Sequence, residues 1–317
     1  MTTSGTYTFS VSRDDIILEA MLNIKRVDPD EGPTASETRD CARKLNMLVK
    51  QWMGKSDFAP GLKVWTRKTF YLMLNGTSGT YAVGPSAPGW CSTLSISSVM
   101  SPVSVNDSYV TVGTDVSPAA GWSVGVQDDA QNIEWFTITS VSGQVLNLSG
   151  LMVSTSAVTN KVYLYPTGAQ KPLNIETAWL RDDTNSDTPL TVMNVQDWSN
   201  LPNKQDPTDE GDPTAIYYEE GISSGTIYTD VGSAQDVTKY IMIKGMEPVQ
   251  DFNNPLDTPY YPQEWYMALS WGLSKQIAPM FGATWSQIQE TLYQESLMIA
   301  RNKGSENSSL YFQPGQE

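Results

Sequence analysis

Apolar positions near both ends of the chain recur three or four residues apart, which is the spacing of helices that bury one face. At the N-terminal end, Ser12 followed by Asp15 is typical of a helix start. Thr34 and Glu37 form a capping-box pattern that starts a second helix, and Gly54 fits its C-terminal stop. We therefore predict a pair of antiparallel helices in this region.

A helical hairpin is predicted over residues 258–302. Pro262 suits a first helical turn, where its missing N–H costs nothing, and Gly282 stops the first helix. Thr284 and Gln287 form a capping-box pattern for the second helix. We expect the hairpin to pack against the N-terminal helices. The side chains predicted to build this helical platform are Leu45, Leu48, Trp52, Trp265, Leu269, Leu273, Ile288 and Leu292, with Trp285 and Ile299 also on the buried side.

From Arg67 onward the apolar period shortens to that of strands. Residues 69–74 and 80–83 are predicted strands, and Asn75-Gly76 between them is a hairpin signal. Further short strands are predicted at 109–112, 122–126, 133–141, 145–148 and 161–165, and then at 173–180, 190–193, 215–218, 225–228 and 240–243. Ser142-Gly143 is the sharpest turn among them.

This order of elements predicts an α+β fold. The N-terminal helix pair and the C-terminal hairpin would form a helical platform, with a central β region that carries an inserted small β domain. Residues 1–84 and 166–303 would form the core, and residues 85–165 the inserted domain, because that segment starts and ends in Pro- and Gly-rich sequence. Residues 304–317, rich in Ser, Asn, Gln and Gly, are expected to be a flexible tail.

Composition removes several classes of chemistry. The chain has no histidine, which excludes Ser-His-Asp and Cys-His catalysis and histidine-ligated metals. Its net charge of −15 disfavours a surface that clamps nucleic acid. Cys41 and Cys91 are expected to be unpaired thiols in a reducing compartment. No signal peptide and no membrane-spanning apolar run is expected.

Carboxylate clusters offer two candidate sites. Residues 206–212 hold four carboxylates and resemble the start of a calcium loop, but position twelve of that loop is Tyr217 instead of Glu. An exposed acidic turn is the favoured interpretation. Glu264, or Glu219 with Glu220, could be a glycosidase pair, although Glu264 already suits a helix N-terminus. We therefore predict no enzyme activity, no catalytic residue, no cofactor and no metal.

Aromatic residues raise a binding hypothesis. Trp122 and Trp135 lie in the predicted inserted domain, and aromatic faces stack on sugars. Strand alternation puts Trp135 and Thr137 on the less apolar side. Sugar binding, contact with another subunit and plain packing within the domain are all open at this point, with packing the favoured interpretation.

A co-linear set of short segments resembles the head-to-tail adaptor proteins of short-tailed bacteriophages, in their tail accessory factor group. The segments are Ala42-Arg-Lys-Leu45-Asn46-Met-Leu48 running to Trp52, Leu62-Lys-Val-Trp65, Tyr81-Ala-Val-Gly84, Lys171-Pro-Leu-Asn-Ile175, Gly211-Asp-Pro213 and, most recognisably, Pro259-Tyr-Tyr-Pro-Gln-Glu-Trp265. The resemblance leaves out residues 85–165.

The resemblance implies a non-enzymatic virion protein at the head–tail junction, assembled in the host cytoplasm. Copies of the chain would form a ring, typically of twelve, that binds the portal protein on one face and a tail tube or nozzle protein on the other. DNA would pass through the lumen without sequence-specific binding, and no membrane would be involved. Portal contacts are expected at the terminal hairpin and, in the tail, at Leu310, Tyr311 and Phe312. The alternative is a β-rich receptor- or glycan-binding virion protein on a helical stalk.

Overall fold

A computed structural model of the chain describes residues 5, 8–28, 30–54, 64–204, 206 and 208–303. Contacts divide the chain into two compact units. The first, made of Met1–Thr66 and Pro248–Glu317, is called the helical unit below, and the second, Arg67–Glu247, is called the β unit.

Two helices come first, then the strands with one short helix among them, and then two more helices. The α-helices are α1 (Arg13–Asn23), α2 (Ala35–Met53), α3 (Val195–Asn200), α4 (Tyr266–Ile277) and α5 (Gln287–Lys303). The strands are β1 (Arg67–Met73), β2 (Thr80–Val83), β3 (Trp90–Cys91), β4 (Ser95–Ser98), β5 (Tyr109–Thr111), β6 (Ser123–Gln127), β7 (Ile133–Ser142), β8 (Val145–Leu148), β9 (Lys161–Tyr165), β10 (Asn174–Arg181), β11 (Asp187–Met193), β12 (Glu210–Gly211), β13 (Ala215–Glu220), β14 (Gly225–Thr229), β15 (Ser233–Ala234) and β16 (Tyr240–Met246).

Both N-terminal helices start at the predicted capping boxes. The Ser12 hydroxyl accepts a hydrogen bond from the backbone N–H of Asp15, and the Asp15 carboxylate accepts one from the Ser12 N–H in return. Thr34 and Glu37 make the same reciprocal pair at the start of α2. These bonds satisfy N–H groups that the first helical turn leaves without partners. The two predicted helix starts are confirmed.

The helical unit has one apolar core, to which α1, α2, α4 and α5 all contribute. Its large buried side chains include Ile17, Met21, Leu45, Leu48, Trp52, Trp265, Leu269, Leu273 and Leu297. At the crossing of α2 and α4, a Cβ on Gly272 would lie only 2.9 Å from Cζ2 of Trp52. A larger residue at position 272 would therefore push the two helices apart.

Helix α5 begins two residues later than predicted and turns a different side to the core. Ser286, rather than Thr284, supplies the cap, because its hydroxyl accepts from the Gln289 N–H while the Gln289 side chain accepts from the Ser286 N–H. The side chains that α5 buries are Tyr293, Leu297 and Ala300. The prediction that Ile288, Leu292 and Ile299 lie on the buried side was wrong; their exposed fractions are 73%, 40% and 61%.

The β unit contains an eight-stranded mixed sheet in the order β2-β14-β13-β11-β10-β16-β1-β3. Neighbours are antiparallel except β11 and β13, which are parallel. A six-stranded antiparallel sheet has the order β4-β9-β6-β7-β8-β5, and β12 pairs with β15. Strands predicted from period-two alternation are confirmed as strands, but their partners are mostly distant in sequence.

The eight-stranded sheet is strongly curved. β1 and β2 do not form the hairpin that Asn75-Gly76 predicted, since β1 pairs with β16 and β3, and β2 pairs with β14. Laid flat, the six strand spacings from β2 to β1 would total about 29 Å. The seven residue steps from Met73 to Thr80 reach at most about 25 Å. The sheet therefore curls until its two ends approach each other.

The predicted fold class was wrong. More of the described residues lie in strands than in α-helices, so the fold is not a helical platform with an added β region, and residues 85–165 are not a small separate β domain. β3 is an edge strand of the eight-stranded sheet, and Ile133, Tyr163 and Tyr165 are buried in the same core as Phe70 of β1. The Tyr163 hydroxyl donates to the Val237 carbonyl oxygen at 2.8 Å.

β9 shows the physical reason why the inserted-domain prediction fails. Its sequence, Lys-Val-Tyr-Leu-Tyr, is apolar at four successive positions, all of them buried. Val162 and Leu164 face a valine-rich core within the six-stranded sheet, while Tyr163 and Tyr165 face the core of the eight-stranded sheet. A strand buried on both faces belongs between two layers, which is the pattern expected of a continuous unit rather than of an appended domain.

Candidate functional site

The outward side of α5 is the most apolar exposed helix face among the described residues. Ile288, Leu292 and Ile299 are spaced by four and seven residues, so they share one side of the helix, and Met298 beside them is 58% exposed. This group of four is called the α5 face below. Because contiguous exposed apolar side chains usually mark an interaction site, the α5 face is the leading candidate for a docking surface.

An ion pair holds α5 against α4. Lys275 Nζ donates to Glu290 Oε1 at 2.9 Å, and Trp285 Nε1 donates to Glu290 Oε2 at 2.8 Å. The hydrogen bond from Lys275, followed by one from Gln294, lowers the pKa of Glu290 to about 2. Lys275 also lies 4.9 Å from the centre of the Tyr293 ring, which adds a cation–π contact. The α5 face is therefore presented by a helix that is held at its first turn.

An aromatic cluster packs at the centre of the helical unit. The ring centres of Trp52 and Trp265 are 5.6 Å apart, and those of Trp65 and Trp265 are 5.3 Å apart, both in tilted or edge arrangements. Tyr261 lies against all three rings. The Pro-Tyr-Tyr-Pro-Gln-Glu-Trp segment thus has a structural role, because Tyr261 and Trp265 join α2 to α4.

Three further exposed methionines belong to the helical unit. Met47 on α2 is 58% exposed, Met267 on α4 is 55% exposed, and Met280 after α4 is 41% exposed. Methionine adapts its shape to a partner, so its exposure is common at interaction surfaces. Of the residues predicted to build the helical platform, Leu45, Leu48, Trp52, Trp265, Leu269 and Leu273 are buried, whereas Ile288 and Leu292 face outward. The predicted portal contacts Leu310, Tyr311 and Phe312 lie outside the described residues.

The β unit contains a second candidate, a cleft of about 260 Å³ beside Trp135. Its walls include the loop 85–88, Ser123, Trp135, Thr137 and Tyr165. The cleft lies where the chain enters and leaves the segment 85–165, since a Cβ on Gly168 would lie 2.2 Å from the Pro85 carbonyl oxygen. The two backbone segments can approach this closely only because residue 168 has no side chain.

Trp135 is partly buried and held in place by glycines. In the antiparallel pair of β6 and β7 it lies opposite Gly125, and a Cβ on Gly89 would lie 3.0 Å from its Cζ2. Its ring centre is 5.7 Å from that of Tyr165, whose hydroxyl accepts a hydrogen bond from the Gly89 N–H. Trp122, the other predicted sugar-stacking residue, packs instead against the valine-rich core of the six-stranded sheet.

The acidic loop 206–212 uses its carboxylates in turns and an ion pair. Asp206 accepts hydrogen bonds from the backbone N–H and the hydroxyl of Thr208. Asp212 is paired with Lys239. No three Cys, Asp or Glu side chains converge as metal ligands within the part of the chain that the structure describes.

The candidate glycosidase carboxylates do not face each other. Glu219 and Glu220 are consecutive in β13, so their side chains point to opposite faces of the sheet. Glu219 accepts from the Tyr228 hydroxyl at 2.9 Å, and Glu220 pairs with Lys171 at 2.6 Å. Glu264 lies in the helical turn Gln263–Trp265 that precedes α4.

Both cysteines are buried free thiols. Burial raises the pKa of Cys41 to about 11 and the pKa of Cys91 to about 12. Each thiol is therefore protonated at neutral pH and unsuited to nucleophilic attack. Among the residues described, no helix is both long and apolar enough to span a bilayer.

Comparison with known proteins identifies no family. No protein-family model and no curated protein matches the chain. One solved structure with partial similarity is the Gp54 tailspike of Acinetobacter baumannii bacteriophage AP22, in complex with A. baumannii capsular saccharide. The alignment has 15% sequence identity and a TM-score of 0.20, and it covers 24% of this chain and 15% of that chain. A match of this extent defines neither the fold nor the function.

Several residues of both candidate sites are not indicated by the sequence alone. Met298 and Glu290 were not singled out, although Lys275 and Glu290 at the two sides of Gly282 fit a pair across a helical hairpin. The walls of the cleft come from residues 85–88, 123, 135–137, 149, 165 and 168, which are far apart in sequence. Only the pairing register of β6, β7 and β9 brings them together.

Proposed function

We propose that the chain is a structural subunit of a bacteriophage head-to-tail adaptor ring. In this role the helical unit binds the portal protein, the other face of the ring receives a tail tube or nozzle protein, and copies of the chain close a ring through which DNA passes. The co-linear motifs support the proposal, as does a helical unit built from both ends of the described chain. The virion, at its head–tail junction, is the proposed location.

The observation that carries the proposal is the α5 face. Ile288, Leu292 and Ile299 are exposed by 73%, 40% and 61%, on a helix that an ion pair and a buried face hold firmly. A rigid helix with an outward apolar stripe suits insertion into a groove of a partner protein. Residues 304–317, which follow α5 directly, extend the proposed contact with Leu310, Tyr311 and Phe312.

The acidic character of the chain suits a lumen for DNA. The net charge is −15, and carboxylates repel phosphate, so DNA that slides past such a surface has little tendency to adhere. The proposal needs no sequence-specific contact and no enzymatic step.

Co-expression with a candidate portal tests the proposal. A tagged full-length chain should co-purify with the portal, and electron microscopy should show a ring stacked coaxially on it. The triple variant Ile288→Gln, Leu292→Gln and Ile299→Gln, and separately a deletion of residues 304–317, should each lower the co-purified amount about tenfold or more, because central apolar contacts dominate binding.

Two controls keep the test specific. Arg39→Gln changes an exposed side chain on α2 instead of α5 and should bind like the unaltered chain. Thermal unfolding of each variant shows that the fold is retained. Persistent monomers in the presence of the portal, with no stacked ring, would count against the adaptor role. Unchanged co-purification of the triple variant would show that the α5 face does not contact the portal.

The second candidate is the receptor- or glycan-binding virion protein, and the cleft beside Trp135 favours it. An aromatic wall with hydroxyl-bearing neighbours is the usual composition of a small-ligand site. Glycan-array screening of the full chain, alongside the portal assay, separates the two roles: the second candidate requires saccharide binding and no portal association.

A further inference from the structure

The cleft beside Trp135 combines an aromatic wall with hydroxyl groups and has no charge of its own. None of its lining residues, all of which the structure describes, is Asp, Glu, Lys or Arg. Ser86, Ser123, Thr137 and Ser149 contribute hydroxyls. The cleft is therefore lined without any ionised side chain, in a chain whose net charge is −15.

We propose that this cleft binds a ring of a neutral saccharide. The proposal rests on the second candidate function, and it names both the site and the ligand class.

The aromatic wall suits the apolar side of a sugar ring. Hexopyranoses present C–H groups on one face and hydroxyls around the edge, so they pack on an aromatic ring while polar neighbours meet the edge. Trp135 is packed closely against the backbone, because its six-membered ring lies over Gly125, where a Cβ would come within 2.6 Å of Cη2. A side chain already held in position loses little conformational entropy when a ligand binds.

The hydroxyls of the cleft are partly organised by the protein. Ser149 Oγ accepts a hydrogen bond from the Thr137 N–H at 3.0 Å, and the Tyr165 hydroxyl accepts one from the Gly89 N–H at 3.1 Å. The Ser149 hydroxyl keeps its own O–H as a donor and a remaining lone pair as an acceptor, whereas the Tyr165 hydroxyl is also hydrogen-bonded to the Ser123 side chain. Groups that both donate and accept match sugar hydroxyls, which do the same.

The charge and the volume of the cleft restrict which saccharides it can bind. A uronic or sialic acid would bring a carboxylate to a site that has no cation to pair with it, in a chain that is already strongly negative. Neutral sugar rings avoid the free-energy cost of placing an unpaired carboxylate in the cleft. The volume of about 260 Å³ is below the range of about 300–1,000 Å³ typical of drug-sized ligands, so the cleft holds one ring of a glycan and leaves the rest outside.

Matched sugars and a matched pair of serine variants test the proposal on the full-length chain. Methyl glucoside and methyl galactoside, and longer neutral oligosaccharides of each, are compared with the corresponding methyl uronides by saturation-transfer NMR and calorimetry. Each uronide differs only by a carboxylate at C6. Ser86→Tyr fills the cleft from an exposed loop position, whereas Ser101→Tyr adds the same side chain at an exposed position outside it.

We expect at least one neutral series to bind, with affinity for its uronide about tenfold lower or undetectable. Ser86→Tyr should abolish the binding and Ser101→Tyr should leave it unchanged. Trp135→Phe should weaken it about fivefold, within the worth of one aromatic contact. Thermal unfolding verifies the fold of each variant.

The outcomes separate the hypotheses. Equal or tighter binding of the uronides overturns the neutral-ligand assignment. If saccharide binding persists in Ser86→Tyr, the cleft is not the binding site. A receptor role would then depend on another site on the chain. Absence of all saccharide binding overturns both the cleft and the receptor role. Portal co-purification, measured on the same variants, reports on the adaptor role independently of all three.

Discussion

Gly125 and Trp135 lie directly opposite each other in the antiparallel pair of β6 and β7, and the Trp135 ring occupies the space that a Cβ of residue 125 would need. A Cβ at that position would also come within 2.8 Å of Cγ2 of Ile133. Position 125 therefore has to be glycine for steric reasons that come from its partner strand.

Substitution of Gly125 by alanine should destabilise the protein by about 1–3 kcal/mol, the usual penalty of overpacking. Gly211→Ala is the control, because a Cβ there would meet only Val231 at 3.9 Å. Thermal or urea unfolding measures both. Combining Gly125→Ala with Trp135→Leu should recover part of the loss, and an equal effect of the two single glycine variants would contradict the steric explanation.

The α5 face should contribute little to folding stability although it is apolar. Ile288→Gln, Leu292→Gln and Ile299→Gln together should change the free energy of unfolding by about 0.5 kcal/mol or less per site, as is usual for exposed positions. Leu297→Ala on the buried side of the same helix should cost about 2–5 kcal/mol. Urea unfolding compares the two proteins, and similar losses in both would mean that the outward side of α5 is covered in the folded chain.

Acid should weaken the contact between α4 and α5. Lys275 holds the folded-state pKa of Glu290 at about 2, below its usual value of 4.5, so the carboxylate stabilises the fold fully above about pH 4.5. That contribution is lost progressively as the pH falls from about 4.5 towards 2. Because the pair is partly exposed, its worth is about 1 kcal/mol or less.

Glu290→Gln isolates this effect. The melting temperature of the variant should lie below that of the unaltered chain at pH 7 and approach it near pH 2. Glu295→Gln, at an exposed position on the same helix, serves as the control. A constant difference between Glu290→Gln and the unaltered chain from pH 7 to pH 2 would show that Glu290 acts through packing and not through its charge.

Tyr163 ties the six-stranded sheet to the core of the eight-stranded sheet. Tyr163→Phe removes the 2.8 Å hydrogen bond to the Val237 carbonyl oxygen and leaves that buried acceptor unpaired, which should cost about 1–3 kcal/mol. Unfolding monitored by fluorescence and by circular dichroism should still give one transition for the β unit. Two separated transitions within the β unit of the unaltered protein, apart from any transition of the helical unit, would indicate that residues 85–165 fold independently after all.

Local signals in the sequence were reliable where the structure is itself local. The capping boxes at Ser12 and Thr34 were predictable because each joins a side chain to a backbone N–H three residues away. Most strands were predictable from alternation for the same reason. The Asn75-Gly76 signal failed because a turn sequence does not determine which strands pair; β1 finds its partner in β16, across more than 160 residues.

The candidate sites were harder to predict. α5 carries two apolar stripes, one through Ile288, Leu292 and Ile299 and one through Tyr293, Leu297 and Ala300. Periodicity detects both, but only the packing of α4 decides which of them is buried. The cleft beside Trp135 depends on strand register, because side chains from β6, β7 and β9 meet there. Alternation correctly separated Trp135 from Phe136, but it gave no information on the loop that completes the cleft.

The core of the helical unit joins α1 and α2 to α4 and α5, so the chain cannot build it until more than 230 further residues have followed α2 out of the ribosome. Contacts between such distant segments form late and slowly. A chain interrupted before residue 287 would lack α5 and leave Trp52 and Leu48 without their full cover. Only a chain that has been translated through α5 can therefore both complete this core and present the α5 face to another protein.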